Sequence, residues 1–203
     1  MSRKDFWEKV YESKSLEEVG WYQPKPLHSL GLIKSLDLSN DDPIIDIGGG
    51  DSLLSDNLLE LGYSDLSVLD ISTEAINKAK LRHESNASRI NWIHSDITEF
   101  TPQKKYKLWH DRAAFHFLTD PIDQLKYIQT CEHAIESGSF LIIGTFSITG
   151  PEKCSGIPIV QHNIEDLKVK FSKSFKYLEG LNVDHITPSG NKQNFTFCIF
   201  KKI

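Results

Sequence analysis

The sequence predicts an α/β protein, a doubly wound and mostly parallel sheet with helices on both faces. Three observations carry that expectation. The apolar run Ile44-Ile45-Asp46-Ile47 ends in Gly48-Gly49-Gly50, and a helical pattern follows at Leu53, Leu54, Leu58 and Leu61, closed by Gly62. A short apolar run bounded by turn residues reads as a buried strand, and 3.6-residue spacing reads as helix. Residues 66–70 are a second such run, ending in Asp70, 20 residues after Gly50. The chain then closes with extended runs at 177–186 and 194–199, joined by Thr187-Pro188-Ser189-Gly190-Asn191. That composition is a turn, so the last two strands form an antiparallel hairpin.

The remaining elements fall in order. Residues 2–11 read as a helix, with Phe6 and Val10, and Trp7 and Tyr11, four apart. Residues 26–36 read as a second, with Pro26 in its first turn. Between them, Trp21 and Tyr22 stand on a loop beside Gly20. They either pin this N-terminal arm to the core or close it over a ligand. After Asp70, Ser72 caps a helix whose apolar stripe is Ala75, Ile76 and Ala79. Residues 90–94 are a third strand leading to Asp96, and 106–111 a fourth leading into His110-Asp111-Arg112. Asp120-Pro121 starts a helix that should run to about Glu136, ended by Ser137-Gly138. Residues 139–146 are the most apolar strand, central and covered on both faces. Residues 147–161 form a loop without a clear period, long enough to suggest a function. Asn163 caps the last helix. These seven strands make a single domain, with 1–40 an added helical arm or lid and 41–203 the core.

Composition narrows the function. The 203 residues are 39% hydrophobic and 25% charged, ordinary for a globular domain. A net charge of -5 argues against general nucleic-acid binding, which needs clustered Lys and Arg. No apolar run has membrane-spanning length, and Met1-Ser2-Arg3-Lys4-Asp5 does not open a signal peptide. Cys131, Cys154 and Cys198 are odd in number and far apart, which suggests reduced thiols and a cytoplasmic protein. No Cys/His cluster has metal spacing, so no metal is expected. A monomer or homodimer is expected.

The turn at Gly48 to Gly50 is the candidate ligand site. A strand that breaks into glycines and re-forms as a helix gathers backbone N–H groups at one point, and a missing Cβ lets a ligand reach them. A side chain at Gly48 would then stand where the ligand lies. Asp70, at the tip of the second strand, has the separation at which a carboxylate meets a ribose. The dinucleotide pattern G-x-G-x-x-G fails, because Leu53 occupies the last glycine position.

The sequence instead reads Asp46-x-Gly48-x-Gly50-x-Ser52, which resembles the D/E-x-G-x-G-x-G motif of class I S-adenosylmethionine (SAM)-dependent methyltransferases, with Ser52 for the last glycine. The likeness runs from about Phe6 to the C-terminus and implies a Rossmann-like sheet of seven strands. Phe6-Trp7-Glu8, Tyr11, Trp21-Tyr22, the glycine motif and Asp111-Arg112-Ala113-Ala114-Phe115 look closest to the elongation-factor and citrate-synthase lysine methyltransferases. There the last segment usually reads D-K-G-T/A, so Arg112 and Ala113 depart from it. Asp111 to Ala114, with Gly150-Pro151 and Gly156-Ile157-Pro158, is also similar to thiol and thiopurine methyltransferases. The resemblance implies SAM as cofactor and S-adenosylhomocysteine as product. It places the cofactor at Trp21, Asp46, Gly48, Gly49, Gly50, Ser52, Asp70, Ile71, Asp96, Ile97 and Asp111. Asp96 would meet the adenine amino group, with a turn cap as the alternative.

Methyl transfer from a sulfonium needs little more than in-line positioning and exclusion of water. A protonated amine acceptor must also lose a proton. His110, Asp111, His116 and His185 are candidates for that, with Asp111 and His116 the chosen catalytic pair; a structural role is the usual one for a single histidine. Arg112 is expected to sit in a salt bridge. The topology should bring together Trp21-Tyr22, residues 110–117, the loop 147–161 and residues 185–191. Tyr22, Phe115, Phe117 and His185 are therefore the candidate acceptor contacts. A small-molecule methyltransferase is the first expectation, a protein-lysine methyltransferase the second, and a SAM-binding regulatory protein without turnover the third.

Overall fold

The computed structural model describes residues 2–203. Strands β1 (Ile44–Ile47) and β2 (Leu66–Asp70) are buried at every residue, as strands with helices on both faces must be. They pair in parallel, as do β2 and β3 (Ile90–His94), β1 and β4 (Tyr106–Arg112), and β4 and β5 (Ile135–Phe146). Strands β8 (Phe175–Ile186) and β9 (Lys192–Lys202) close the sheet antiparallel. The order is β3-β2-β1-β4-β5-β9-β8. The chain winds outward from β1 to β3 and then returns beside β1 as β4. A crevice opens beyond the carboxyl ends of those two strands.

Alternate residues of each strand feed opposite layers. Ile45, Ile47, Trp109, Leu141 and Ile143 pack with Tyr127 and Cys131 of α5 (Pro121–Ala134) and Leu167 and Phe171 of α6 (Ile164–Phe171). Ile44, Val68, Leu108 and Ile142 pack with Leu30 and Ile33 of α2 (Leu27–Lys34) and Leu54 and Leu58 of α3 (Leu54–Glu60). In α4 (Thr73–His83), Ser72 accepts from the Ala75 N–H and the stripe Ala75, Ile76, Ala79 is buried. Helix α1 (Arg3–Ser13) is closed by a capping box between Ser2 and Asp5.

Four details differ from the sequence reading. Helix α5 stops at Ala134, and Ser137-Gly138 lies inside β5, where Gly138 has φ +82° and the register with β4 shifts. This is an irregularity within a strand and not a helix stop. The loop after β5 holds a ribbon, β6 (Lys153–Cys154) against β7 (Ile157–Pro158). Ser155 and Gly156 at its tip both have positive φ, 52° and 83°, as a tight hairpin turn requires. Pro26 caps α2 from outside its first turn. The last two strands also extend further than their apolar runs. Among the described residues no helix is long and apolar enough to cross a membrane.

Candidate functional site

The glycine turn is shaped by its neighbours more than by open space. Gly48 has φ +65°, and a Cβ there would stand 2.9 Å from the Ala114 Cβ. A Cβ on Gly50 would fall 2.5 Å from the Asp70 Oδ2. The absent side chains thus let the β1 turn nest against the β4 turn and against Asp70. The expectation that a Gly48 side chain would meet only ligand is corrected: it would meet protein first. Behind the turn, the His110 Nδ1–H donates to Asp46 at 2.7 Å, and the Ser29 hydroxyl lies 2.9 Å from His110 Nε2 in a hydrogen bond. All three residues are buried. At the far end, Arg82 pairs with Asp51 and Asp56 and donates to the Ser52 carbonyl at 3.0 Å.

A cavity of about 780 Å³, mouth included, opens beside this turn. Gly48, Asp70, Ile71, Asp96, Ile97 and Trp21, six of the predicted cofactor residues, line it, as does Phe117. Asp70 accepts the Ser72 N–H at 2.8 Å. Burial pushes its carboxyl up to about 7, against the pull of that bond. Asp96 also lines the cavity, where it accepts the Thr98 N–H at 2.9 Å and pairs with Arg3 at 3.1 Å. It is both a turn cap and a cavity residue.

Helix α1 roofs the cavity with Arg3, Trp7 and Tyr11, which the sequence reading had not assigned there. Arg3 also pairs with Asp123 at 2.9 Å. The Glu8 carboxylate accepts from the Ser72 hydroxyl at 2.6 Å and the Thr73 and Glu74 N–H groups at 2.9 and 3.0 Å, at the start of α4. A carboxylate belongs at such a helix N-terminus. Trp7 packs edge-on against Trp21 at 5.8 Å and Phe117 at 4.9 Å. The spacing of Trp7 and Tyr11 was visible in the sequence; their target was not.

The predicted catalytic pair is corrected. Asp111 is fully buried and is not in the wall of this cavity: its carboxylate accepts from the Tyr127 hydroxyl at 2.6 Å, from the Ala114 N–H at 2.9 Å and from the Phe115 N–H. Burial raises it to about 6. It is the cap of the turn after β4 and does not line this cavity. His116 is fully buried beneath that turn, its Nδ1 accepting the Phe146 N–H at 3.2 Å, and burial lowers it to about 3.

Other predicted contacts also move. Phe115 is a core residue against Tyr127 and Phe171. His185 fastens the arm, donating through Nε2 to the Gly20 carbonyl at 2.8 Å. Asp46, Gly49 and Gly50 are buried and line neither cavity. Ser52 and Tyr22 line a smaller side pocket of about 250 Å³ instead. The predicted salt bridge of Arg112 does not form; Arg112 lines both cavities. The loop after β5 does reach the main cavity, through Cys154. Cys131, Cys154 and Cys198 are free, buried thiols. Among the described residues no group of three or more His, Cys, Asp or Glu is placed to hold a metal.

Residues 44–138 match the model of the methyltransferase domain family. The eEF1A lysine and N-terminal methyltransferase of Bos taurus is 27% identical over 143 residues, 69% of this chain and 20% of that protein. The chain therefore spans about a fifth of that relative's length. A solved structure reported for the conversion of a disulfide bond into a thioacetal group during echinomycin biosynthesis has a TM-score of 0.79 at 16% identity, covering 98% of this chain and 92% of that one. The N-methyltransferase NodS of Bradyrhizobium japonicum WM9, solved with S-adenosylhomocysteine, has a TM-score of 0.67 at 16% identity, covering 96% and 97%.

Proposed function

We propose that this chain is a class I methyltransferase that moves a methyl group from SAM to a small-molecule acceptor, a reading supported by its fold and by the family match of residues 44–138. One observation carries the reading: a single cavity runs from two carboxylates, Asp70 and Asp96, past Gly48 to a wall of Trp7, Trp21, Phe117 and Cys154. The donor set fits an adenosine with an attached cation. Asp70 is placed to accept ribose hydroxyls, Asp96 the adenine amino group, and Ile71 and Ile97 offer apolar faces to the base. Once bound, SAM supplies an already activated methyl group.

The chain's own residues then bind, orient and keep water out. Trp7, Tyr11, Trp21 and Phe117 close the far end with ring edges and faces, and aromatic walls suit a sulfonium through cation–π attraction. No base is assigned, because Asp111 and His116 lie outside the cavity. The acceptor is a nucleophile that arrives deprotonated or passes its proton to water. The N-terminal segment of residues 1–40 acts as a lid, with Arg3 of α1 at the adenosine end and Trp7, Tyr11 and Trp21 at the methyl end. A cytoplasmic location suits the three reduced thiols.

An aromatic-walled cavity of this size favours a metabolite over a lysine on a protein surface. The lysine reading draws on the sequence resemblance and on the eEF1A relatives. Incubation of the protein with cell extract and methyl-labelled SAM decides between them: label in small metabolites is expected, and label confined to protein bands would replace the acceptor assignment. Calorimetry showing no affinity for SAM or S-adenosylhomocysteine would remove the whole reading.

A further inference from the structure

Arg112 ends β4 in the wall between the main cavity and the side pocket. Its Nη1 donates to the Trp21 carbonyl at 3.1 Å, and its guanidinium lies 5.2 Å from the centre of the Phe195 ring. Its Nη2 is enclosed and meets no acceptor. Among the described residues it forms no ion pair. Burial draws it down to about 10, more than the attraction of Asp46 restores, so it stays charged at neutral pH. Asp46 is held by His110.

A half-buried cation with an enclosed donor short of an acceptor is costly, and a charge-assisted partner relieves that cost. Fastening Trp21 and covering Phe195 uses one donor and one face of the guanidinium. It leaves the second prong of the fork idle. Arginine's paired donors match the two oxygens of a carboxylate. We infer that Arg112 is the receptor for a carboxylate brought into the cavity by a ligand. This rests on the methyltransferase reading, which offers two sources: the amino-acid carboxylate of the cofactor, or an acidic acceptor.

The test compares wild type, Arg112→Met and Arg112→Lys by calorimetry, with circular dichroism to confirm folding. The probes are S-adenosylhomocysteine, methylthioadenosine, which lacks the amino-acid end, and benzoate added to protein saturated with S-adenosylhomocysteine. If the cofactor is the source, Arg112→Met weakens S-adenosylhomocysteine at least about tenfold and leaves methylthioadenosine unchanged. If the acceptor is the source, both nucleosides bind unchanged, while benzoate binds wild type and not Arg112→Met. Should the methionine variant unfold, Arg112→Lys gives the same contrast more weakly, because a point charge lacks the fork. Unchanged affinities for all three probes would overturn the inference and leave Arg112 a clamp for Trp21. Wild type that binds neither nucleoside would instead sink the methyltransferase reading, and benzoate titration of wild type against the variants, without nucleoside, would still decide the role of Arg112.

Discussion

Replacing Asp70 by asparagine should stabilise the empty protein and disable its cavity at the same time. Asp70 is buried, and burial pushes its carboxyl up to about 7, with Asp46 and Glu8 adding like charge and the Ser72 N–H opposing them. The unfolded chain titrates near the ordinary value of 3.8. A folded pKa above the unfolded one means the native state holds the proton more tightly. Stability is therefore greatest at low pH on this account, falls as pH climbs from 3.8, and levels off above 7. Between pH 5 and pH 8 the loss accrues over the two units from 5 to 7. At about 1.4 kcal/mol per unit this is roughly 2.7 kcal/mol. Asp70→Asn keeps an oxygen for the Ser72 N–H and carries no charge. Urea unfolding of both proteins at pH 5 and pH 8 isolates the group, because other titrations cancel in the difference. The variant's advantage should grow by roughly 2–3 kcal/mol from pH 5 to pH 8, while its affinity for S-adenosylhomocysteine at pH 8 falls at least about tenfold. A stability gap equal at both pH values would show that the carboxyl is already ionised at pH 5, and the burial argument would fail.

Further expectations follow from the same geometry. Asp96→Ala should weaken S-adenosylhomocysteine less than Asp70→Ala, because Thr98 and Arg3 already engage Asp96; calorimetry showing the reverse order refutes the assignment of the two ends. Gly48→Val combines a positive φ with a clash against Ala114, so it should lose more than about 2 kcal/mol of stability as well as ligand affinity, and an unchanged urea midpoint contradicts this. Ala113 has φ +71°, a conformation glycine adopts freely, so Ala113→Gly should raise stability by about 1 kcal/mol in the same assay. Glu8→Ala removes the acceptor at the start of α4; it should cost about 1 kcal/mol and speed dissociation of S-adenosylhomocysteine in stopped-flow fluorescence of Trp7 and Trp21, and an unchanged rate would show that α1 is not the gate.

The parts legible in the sequence were those with local causes. Strands β1 and β2 fall where their apolar runs begin and end, because parallel strands buried on both faces leave little else for such runs to be. Ser72 and Asn163 were read as caps because a cap is a side chain bonding to its own next turn. What escaped was non-local. Asp111 stands beyond a strand end, as a catalytic acid would, and no spacing shows that Tyr127, 16 residues on, occupies its carboxylate. Arg112 could not be known to lack a partner until its neighbours had positions. The Ser155-Gly156 hairpin was missed because strands of two residues have no measurable period. The roof over the cavity was visible as a helix with Trp7 and Tyr11 on one side, but the sequence does not say where that side faces.

That roof has a consequence for the medium in which the protein works. The grip of α1 at the adenosine end is ionic, and the Arg3 side chain is 37% exposed where it meets Asp96 and Asp123. Screening weakens exposed pairs within the physiological range of ionic strength. The aromatic contact of Trp7 with Trp21 and Phe117 is indifferent to such screening. Added salt should therefore loosen one end of the helix and leave the other seated, so that the roof pivots open at the nucleoside. On the proposed reading, product would leave sooner and cofactor would be held less tightly, which would make ionic strength a dial between turnover and affinity.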